Sequence, residues 1–387
     1  MKKYVWFLLS LCVLLTLAMP ICAAEDETQP QDKAEQVGES GKNTPKAVDK
    51  TTEPKDDSKE EKFDVTGLIM GHIKDSHVWH ILDYKDSNGE EVAVAVPLPV
   101  IVFANGQLDV FMSSAFEHGH KAVTKGSNTY VLANDQIYLA NGNGDLTLKD
   151  GEIANEKPLD FSITKNVASM MLVSIILLIV FISFAKAYKK NPGSPKGMQA
   201  FLEPVFLYVR DDVIYPNLGE KTDKFLPYLM TVFFFILFNN ILGLIPFFHG
   251  NANVTGNIAV TMVLAIFTFL MINLNGNKDY WHHTFWMPGV PVFVKPILAV
   301  VELMGIIVKP VALMIRLFAN ISAGHIIILS LVSLIFIFGT AWVSPVSIIF
   351  VLFMDCLEML VAFLQAYIFT MLSAVFISLA VAEHKHE

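Results

Sequence analysis

Residues 302–326 read ELMGIIVKPVALMIRLFANISAGHI, an apolar stretch long enough to enter a bilayer, with an arginine near its centre. An arginine within the hydrocarbon costs from about 3 to over 10 kcal/mol, so it normally has a function or a partner. The residues at helical spacing around Arg316 are small or polar: Ala312, Ala319, Asn320 and Ala323. This pattern predicts a helix face that a second helix can pass closely. The alternative is an arginine that reaches the headgroups or stays paired with one buried carboxylate.

The composition of the whole chain is that of a membrane protein. Of its 387 residues, 53% are hydrophobic, and the mean hydropathy is +0.48. The net charge of −9 arises largely in residues 25–62, so it says little about a partner. No basic patch or stripe is present, which argues against nucleic-acid binding.

The amino-terminal part divides into three segments before the membrane region. Residues 1–24 have a basic start, an apolar core and small residues at the end, and we interpret them as a signal peptide. The alternative is a retained membrane helix, although the apolar core is short. Residues 25–62 are acidic, lack large apolar side chains and are predicted to be a disordered tether.

Residues 63–160 alternate in short runs and predict a small, exported, β-rich domain. Residues 92–96 alternate with a period of two, and Asn105-Gly106 between apolar runs predicts a tight hairpin. Two histidine groups are candidate metal ligands, but their spacing matches no standard zinc pattern closely, and no cofactor is predicted. These groups are His72, His77 and His80 with Asp75, and His118 with His120. The sequence does not indicate what this domain does.

Residues 161–387 predict an all-α polytopic membrane domain with five transmembrane helices and one interfacial helix. The predicted spans are 168–185, 225–248, 257–273, 293–338 and 345–382, and the interfacial helix covers 197–214. Lys186, Lys189, Lys190 and Lys196 follow the first span. The positive-inside rule then places the amino terminus and β-rich domain outside, and the carboxyl terminus in the cytoplasm.

The last two spans are too long to stand upright. As helices they would measure about 68 Å and about 57 Å, against a hydrocarbon core of roughly 30 Å. We therefore expect a tilted or bent antiparallel pair, with Gly305, Pro310 and Gly324 as candidate bends.

Polar amides occur within the other spans and at their outer turn. Asn239, Asn240 and Asn257 are predicted to line an aqueous cavity that opens on the outer side. The alternative is that they form hydrogen bonds between helices.

Two motifs carry a resemblance to a known family. Residues 309–324, KPVALMIRLFANISAG, are similar to the signature of subunit a of the F-type ATP synthase. Residues 363–369, FLQAYIF, resemble the conserved run in the last helix of that family. The resemblance covers roughly residues 165–387 and leaves residues 1–160 unexplained.

The resemblance implies a stator subunit with two proton half-channels against a rotating ring of c subunits. In that family a Glu often lies nine residues after the arginine and a His seven residues before the glutamine; here His325 and Glu358 exchange these places. The implied roles are a relay at His325 and Glu358, a barrier charge at Arg316, and support from Asn320 and Gln365. Glu302 is expected in the cytoplasmic half-channel. A static His325–Glu358 ion pair is the alternative.

The resemblance also implies partners and a location. These are the c-ring, the peripheral stalk subunit b and the catalytic head of an ATP synthase in a bacterial inner membrane. The chain lacks a phosphate-binding loop, so it is expected to be non-catalytic. A self-contained transporter would show internal repeats, which are not found. An inert anchor for the β-rich domain would not explain Arg316, His325 and Glu358.

Overall fold

A computed structural model describes residues 74–85, 91–119, 121–141, 144–149, 152–190, 197–244, 252–338 and 343–382. The predicted signal peptide (1–24) and tether (25–62) lie outside the described residues. So do two of the histidines considered as candidate ligands, His72 and His120, and the side chains of two others, His80 and His118.

The domain before the membrane helices is built from short antiparallel strands in four small sheets. The strands are β1 (Val78–Lys85), β2 (Glu91–Pro97), β3 (Pro99–Ala104), β4 (Gln107–Met112), β5 (Val123–Lys125), β6 (Asn128–Ala133), β7 (Gln136–Leu139), β8 (Leu148–Lys149), β9 (Glu152–Ile153) and β10 (Leu159–Asp160). The sheets have the orders β1–β2, β10–β3–β4, β5–β6–β7 and β8–β9. The predicted β-rich domain is confirmed.

Local sequence chemistry sets the main hairpin of this domain. Asn105 and Gly106 form the two-residue turn between β3 and β4, with φ angles of 52° and 77°. Both angles are positive, as the right-handed twist of a two-residue hairpin requires, and Asn-Gly tolerates them. Val100, Val102 and Phe111 then face a buried core around Phe116 and Tyr130.

The rest of the described chain is helical. The α-helices are α1 (Lys165–Lys190), α2 (Met198–Tyr208), α3 (Tyr215–Leu218), α4 (Thr222–Leu244), α5 (Ile258–Asn275), α6 (Lys278–Phe285), α7 (Lys295–Phe338) and α8 (Val343–Val381). A π-helical turn over Val209–Ile214 joins α2 to α3, and a 3₁₀ turn over Gly219–Lys221 joins α3 to α4.

Five helical runs in the described residues are long and apolar enough to cross a membrane. The protein is therefore a multi-pass membrane protein with a β-rich amino-terminal domain. The first helix is longer than the predicted span 168–185, since its ends carry lysines that extend beyond the apolar part. The predicted interfacial segment 197–214 does not end in a loop: it continues helically into α4 because Val209, Val213 and Ile214 pack in the membrane core.

The last two helices, α7 and α8, contain 44 and 39 residues. They measure about 66 Å and about 59 Å, so neither fits upright in a roughly 30 Å core. They pack against each other, and α8 also packs on α4. Most of the surface of α7 and α8 remains uncovered by the described chain, whereas α4 is largely buried.

Helix α6 was not predicted from the sequence. Its sequence KDYWHHTF is short and polar, so hydropathy alone gives no sign of it. The preceding Asn277 fixes its position: the Asn277 backbone N–H donates to the Ala380 carbonyl at 2.9 Å, and its side chain donates to the Val381 carbonyl at 2.8 Å.

The β-rich domain is joined to α1 by buried polar contacts. The Asp75 carboxylate accepts a hydrogen bond from the Asn166 backbone N–H at 3.1 Å and so caps the start of α1. The Lys165 ammonium donates to the Lys74 carbonyl at 3.2 Å. His77 Nε2 lies 2.7 Å from Asp160 Oδ2. The first two contacts fix the domain to the first membrane helix, and the third holds β10, the strand that leads into that helix.

Candidate functional site

Arg316 lies on an exposed face of α7. Ala312, Ala319, Asn320 and Ala323 on the same face are also exposed. Among the described residues, Arg316 forms no hydrogen bond or ion pair, so the alternative of a permanent buried carboxylate partner has no support there. A cation on a face of small side chains leaves room for the close approach of another helix.

Asn320 and Gln365 connect this face to α8. The Asn320 side-chain amide donates to Gln365 Oε1 at 2.9 Å. Gln365 was expected to hold Arg316, but the described contact is with Asn320, one helical turn away. This hydrogen bond fixes α7 against α8 beside the arginine.

His325 and Glu358 meet on the other side of α7, between the two long helices. His325 Nε2 lies 3.9 Å from Glu358 Oε1, and the Glu358 side chain is almost completely buried. Neither Glu358 oxygen has a hydrogen-bond partner in the described part of the chain. Because a buried carboxylate without hydrogen bonds is costly, such groups often serve a function.

Gly324 makes space for this carboxylate. A Cβ atom added at Gly324 would lie 2.7 Å from Glu358 Oε1 and 2.9 Å from its Cδ. Real Cβ atoms almost never come so close. An alanine at position 324 would therefore force the flexible end of the Glu358 side chain, which packs over the glycine, to shift.

The amides predicted to line the outer cavity have different environments. Asn240 accepts from the Thr255 hydroxyl at 2.5 Å and donates to the Ala362 carbonyl at 3.4 Å. Asn257 caps α5, since its side chain accepts from the Ala259 N–H at 2.9 Å. The Asn240–Ala362 bond joins two helices, as in the alternative, whereas the Asn257 bond lies within the first turn of its own helix.

Asn239 is the amide that remains incompletely bonded. Its Nδ2 donates to the Phe235 carbonyl within α4 at 2.8 Å, but its buried Oδ1 has no partner among the described residues. The lining of an aqueous cavity stays a prediction for all three amides, and Asn239 has the free acceptor that a water-lined path would use.

Glu302 lies far from His325 along α7. The two are 23 residues apart, or about 35 Å of helix, and Arg316 lies between them. Burial raises the pKa of Tyr280 in α6, and the negative charge of Glu302 raises it further. Glu302 and His325 are therefore on opposite sides of Arg316.

Lys165 is a member of this region that the sequence analysis did not identify. Its charge acts on the His325 imidazole, and its backbone N–H donates to the Ser76 carbonyl at 2.8 Å. A lysine at the amino-terminal end of a helix is electrostatically unfavourable, which was the available signal. Since Lys165 begins α1, its effect on His325 indicates that this part of α7 lies toward the end of α1 that follows the β-rich domain.

Metal ligands do not assemble in the described residues. No group of three or more His, Cys, Asp or Glu side chains there could hold a metal ion. His77, one of the candidate ligands, forms a hydrogen bond with Asp160.

Comparisons with known proteins divide the chain where the structure does. The family model described as ATP synthase A chain matches residues 167–378, more than half of the chain. A domain of unknown function matches residues 68–161.

Curated relatives match over the membrane domain. ATP synthase subunit a of Chloroherpeton thalassium is 45% identical over 234 residues, which are 59% of this chain and 69% of the relative. The subunit a of Anaeromyxobacter sp. is 43% identical over 59% of this chain and 57% of the relative. ATP synthase subunit a 2 of Chlorobaculum tepidum is 44% identical over 62% of this chain and 68% of the relative. The chain therefore belongs to the ATP synthase A chain family.

Proposed function

We propose that this chain is the stator subunit of a rotary ATP synthase, through which protons cross the membrane to turn a ring of c subunits. The observation that carries the proposal is Arg316, a cation on an exposed, small-residue face of a 44-residue membrane helix. The names of the relatives agree with this function. ATP chemistry then belongs to the catalytic head, and the chain itself is non-catalytic.

Arg316 acts as the barrier between two half-channels. Its positive charge stabilises a ring carboxylate that has lost its proton and hinders direct proton passage along the interface. Arginine suits this role better than lysine, since it keeps its proton when water is removed. The exposed alanines around it leave the space that the passing ring helix needs.

His325 and Glu358 act as the relay of the outer half-channel. Their side chains lie 3.9 Å apart, close enough for a proton to pass through one bridging water or after a small rotation. Glu358 lacks hydrogen bonds to the described residues that would hold it in one state. Their exchanged order relative to the family pattern keeps both titratable groups, so the relay works in the same way.

The two half-channels open on opposite sides of the membrane. Lys165 links His325 to the end of α1 that follows the β-rich domain, whereas Lys186, Lys189 and Lys190 mark the other end as cytoplasmic. Along α7, Arg316 lies between His325 and Glu302, and Glu302 serves the cytoplasmic half-channel. The β-rich domain and amino terminus are then outside, and the carboxyl terminus is cytoplasmic.

The test compares the only two arginines of the chain, Arg316 and Arg210. Arg316→Lys and Arg316→Ala are assayed for ATP-driven acidification of inverted membrane vesicles, and for passive proton leak after the catalytic head is removed. Both variants are expected to abolish pumping while the complex still assembles. Arg210→Lys is the matched control, because Arg210 is exposed and pairs only with its neighbour Asp211 among the described residues.

Assembly is checked by the amount of ring and head subunits that purify with each variant. Normal pumping by either Arg316 variant would overturn the proposed barrier role. Failure of the ring and head to purify even with the unmodified chain would overturn the stator function as a whole.

A further inference from the structure

One face of the sheet β10–β3–β4 is apolar and uncovered. The register places Phe103 between Leu108 and Leu159, and Ile101 opposite Val110. Six side chains on this face are between 39% and 60% exposed: Phe103, Leu108, Val110, Met112, Leu159 and Phe161. The opposite face packs into the domain core, so the sheet has one buried and one open apolar side.

The position of this face in the chain connects it to the membrane domain. Beyond β10, Phe161 and Ile163 continue to donate backbone hydrogen bonds to β3, at 2.8 and 3.0 Å. Side chains alternate along a strand, so Leu159, Phe161 and Ile163 share one side. Ile163 packs against the core of the membrane helices. The apolar face therefore runs without a break into the membrane domain.

The distance to the membrane is short. Helix α1 begins at Lys165, six residues after Leu159, so the far end of β10 lies within about 20 Å of the start of α1. The exposed side chains of α1, among them Ile175 and Ile179, are large and apolar, as on a helix surface that contacts lipid. The open face of the sheet lies next to the same lipid.

We propose that this apolar face rests on the lipid leaflet next to the start of α1, at the boundary between headgroups and acyl chains. The face spans three strands and about five residues, on the order of 250 Å². A patch of this size is not unusual on a soluble protein, so its continuity with the membrane domain, rather than its area, carries the proposal. This patch has no charged or hydrogen-bonding side chain to orient a protein partner, and a lipid surface requires none.

The sheet lies on the interface rather than within the hydrocarbon. The outer edge of β4 is not paired with a described strand, and unpaired backbone groups are not tolerated in the bilayer core. Headgroups and interfacial water can satisfy this edge. The inference does not depend on the proposed proton relay.

The test uses a nitroxide spin label on the full chain in phosphatidylcholine–phosphatidylglycerol liposomes. Cys12, Cys22 and Cys356 are first replaced by serine, and the label is then attached to Val110→Cys. Two positions serve as references: Ile179→Cys for lipid and Lys125→Cys for water. The accessibility of each label to oxygen and to a water-soluble nickel chelate is measured by power saturation.

The label at Val110 is expected to fall between the two references, with nickel accessibility several-fold lower than at Lys125 and oxygen accessibility higher than at Lys125, though below that at Ile179 in the middle of α1. Nickel accessibility equal to that at Lys125 would overturn the proposal. Protection from both reagents would overturn it as well, because a protein surface, such as a second copy, would then cover the face. Leu108→Cys and Leu159→Cys repeat the measurement if Val110→Cys disturbs folding.

Discussion

Two imidazole–carboxylate pairs in this molecule contain the same chemical groups but differ in their hydrogen bonding. His77 and Asp160, where the β-rich domain joins α1, are 2.7 Å apart, and Asp160 also accepts from the Ser162 N–H at 2.8 Å. His325 and Glu358, between α7 and α8, are 3.9 Å apart, and neither Glu358 oxygen has a hydrogen bond in the described residues. Both oxygens of Asp160 are hydrogen-bonded, whereas neither oxygen of Glu358 is hydrogen-bonded within the described residues.

The difference indicates which pair holds the structure and which pair can react. A hydrogen-bonded charge pair is stable in one arrangement, so it fixes the two segments that carry it. A buried carboxylate without hydrogen bonds is high in free energy, and it can be relieved by taking up a proton. The presence of a histidine and an acid is common to both pairs, so it is the difference in hydrogen bonding that favours His325–Glu358 as the proposed relay.

The largest expected effect comes from removing the titratable oxygen of each pair. Glu358→Gln cannot carry a proton and is expected to lower ATP-driven acidification of inverted vesicles by on the order of 100-fold, the typical contribution of a proton-transfer group. Asp160→Asn is the matched change in the other pair and should leave acidification unchanged. An equal loss of acidification in both variants would contradict the proposed difference between the two pairs.

The next largest effect is expected from filling the space beside the Glu358 carboxylate. Gly324→Ala would place its Cβ 2.7 Å from Glu358 Oε1, so the carboxylate must rotate away. We expect about a tenfold loss of acidification, since a displacement of about 1 Å at a reactive group can have such effects. Gly305→Ala on the same helix is the control, because nothing lies within 4 Å of its added Cβ. Similar activity of the two variants would contradict the role of Gly324.

Much of the fold follows from local sequence patterns. Apolar length predicts the five spans, and Asn105-Gly106 predicts the β3–β4 hairpin because the dipeptide determines its own turn. Helix α6 could not be predicted, because Asn277 fixes it through contacts with the end of α8, a hundred residues later. The helical run through residues 209–221 likewise depends on packing that hydropathy does not register.

The candidate site was only partly predictable for a related reason. Helical periodicity places Arg316 and Asn320 on one face and His325 on the other, since it depends on one helix alone. The Asn240–Ala362 bond and the effect of Lys165 on His325 join separate helices, and no sequence spacing encodes them. The amide Asn257 matches a polar channel pattern in sequence but caps a helix in the structure.

The His77–Asp160 pair should affect the stability of the junction between the β-rich domain and α1, and should not affect proton transport. Asp160→Ala leaves His77 buried without its partner, and we expect the opening free energy of the junction to fall by about 1 kcal/mol. This value lies below the usual range for charged hydrogen bonds because the Asp160 side chain is 31% exposed. The opening free energy of the junction is measured by hydrogen exchange of the Phe161 and Ile163 amides. Glu117→Ala, which breaks the exposed pair with Lys121, should change it much less.

The protonation of His77 should give the smallest effect. Burial lowers the pKa of His77, but the hydrogen bond and charge of Asp160 outweigh burial and raise it above its ordinary 6.5. Burial raises the pKa of Asp160, but the hydrogen bond and charge of His77 lower it below 3.8. Burial raises the pKa of Asp75. The other groups near His77 are the Asp135 backbone and Lys165.

These directions fix the sign of the pH dependence. A raised histidine pKa contributes stability that is complete below 6.5 and is lost as the pH rises through the folded value. The lowered pKa of Asp160 contributes stability that is lost only below about pH 3.8, and the raised pKa of Asp75 adds a loss with rising pH. From pH 6 to pH 8, protection of the Phe161 and Ile163 amides, corrected for intrinsic exchange, should therefore decrease. The decrease in protection should be smaller than the decrease caused by Asp160→Ala, because neutral His77 can still donate its Nε2 hydrogen to Asp160. His77→Gln should reduce the pH difference, and equal protection at both pH values in the unmodified chain would contradict a charged pair at this junction.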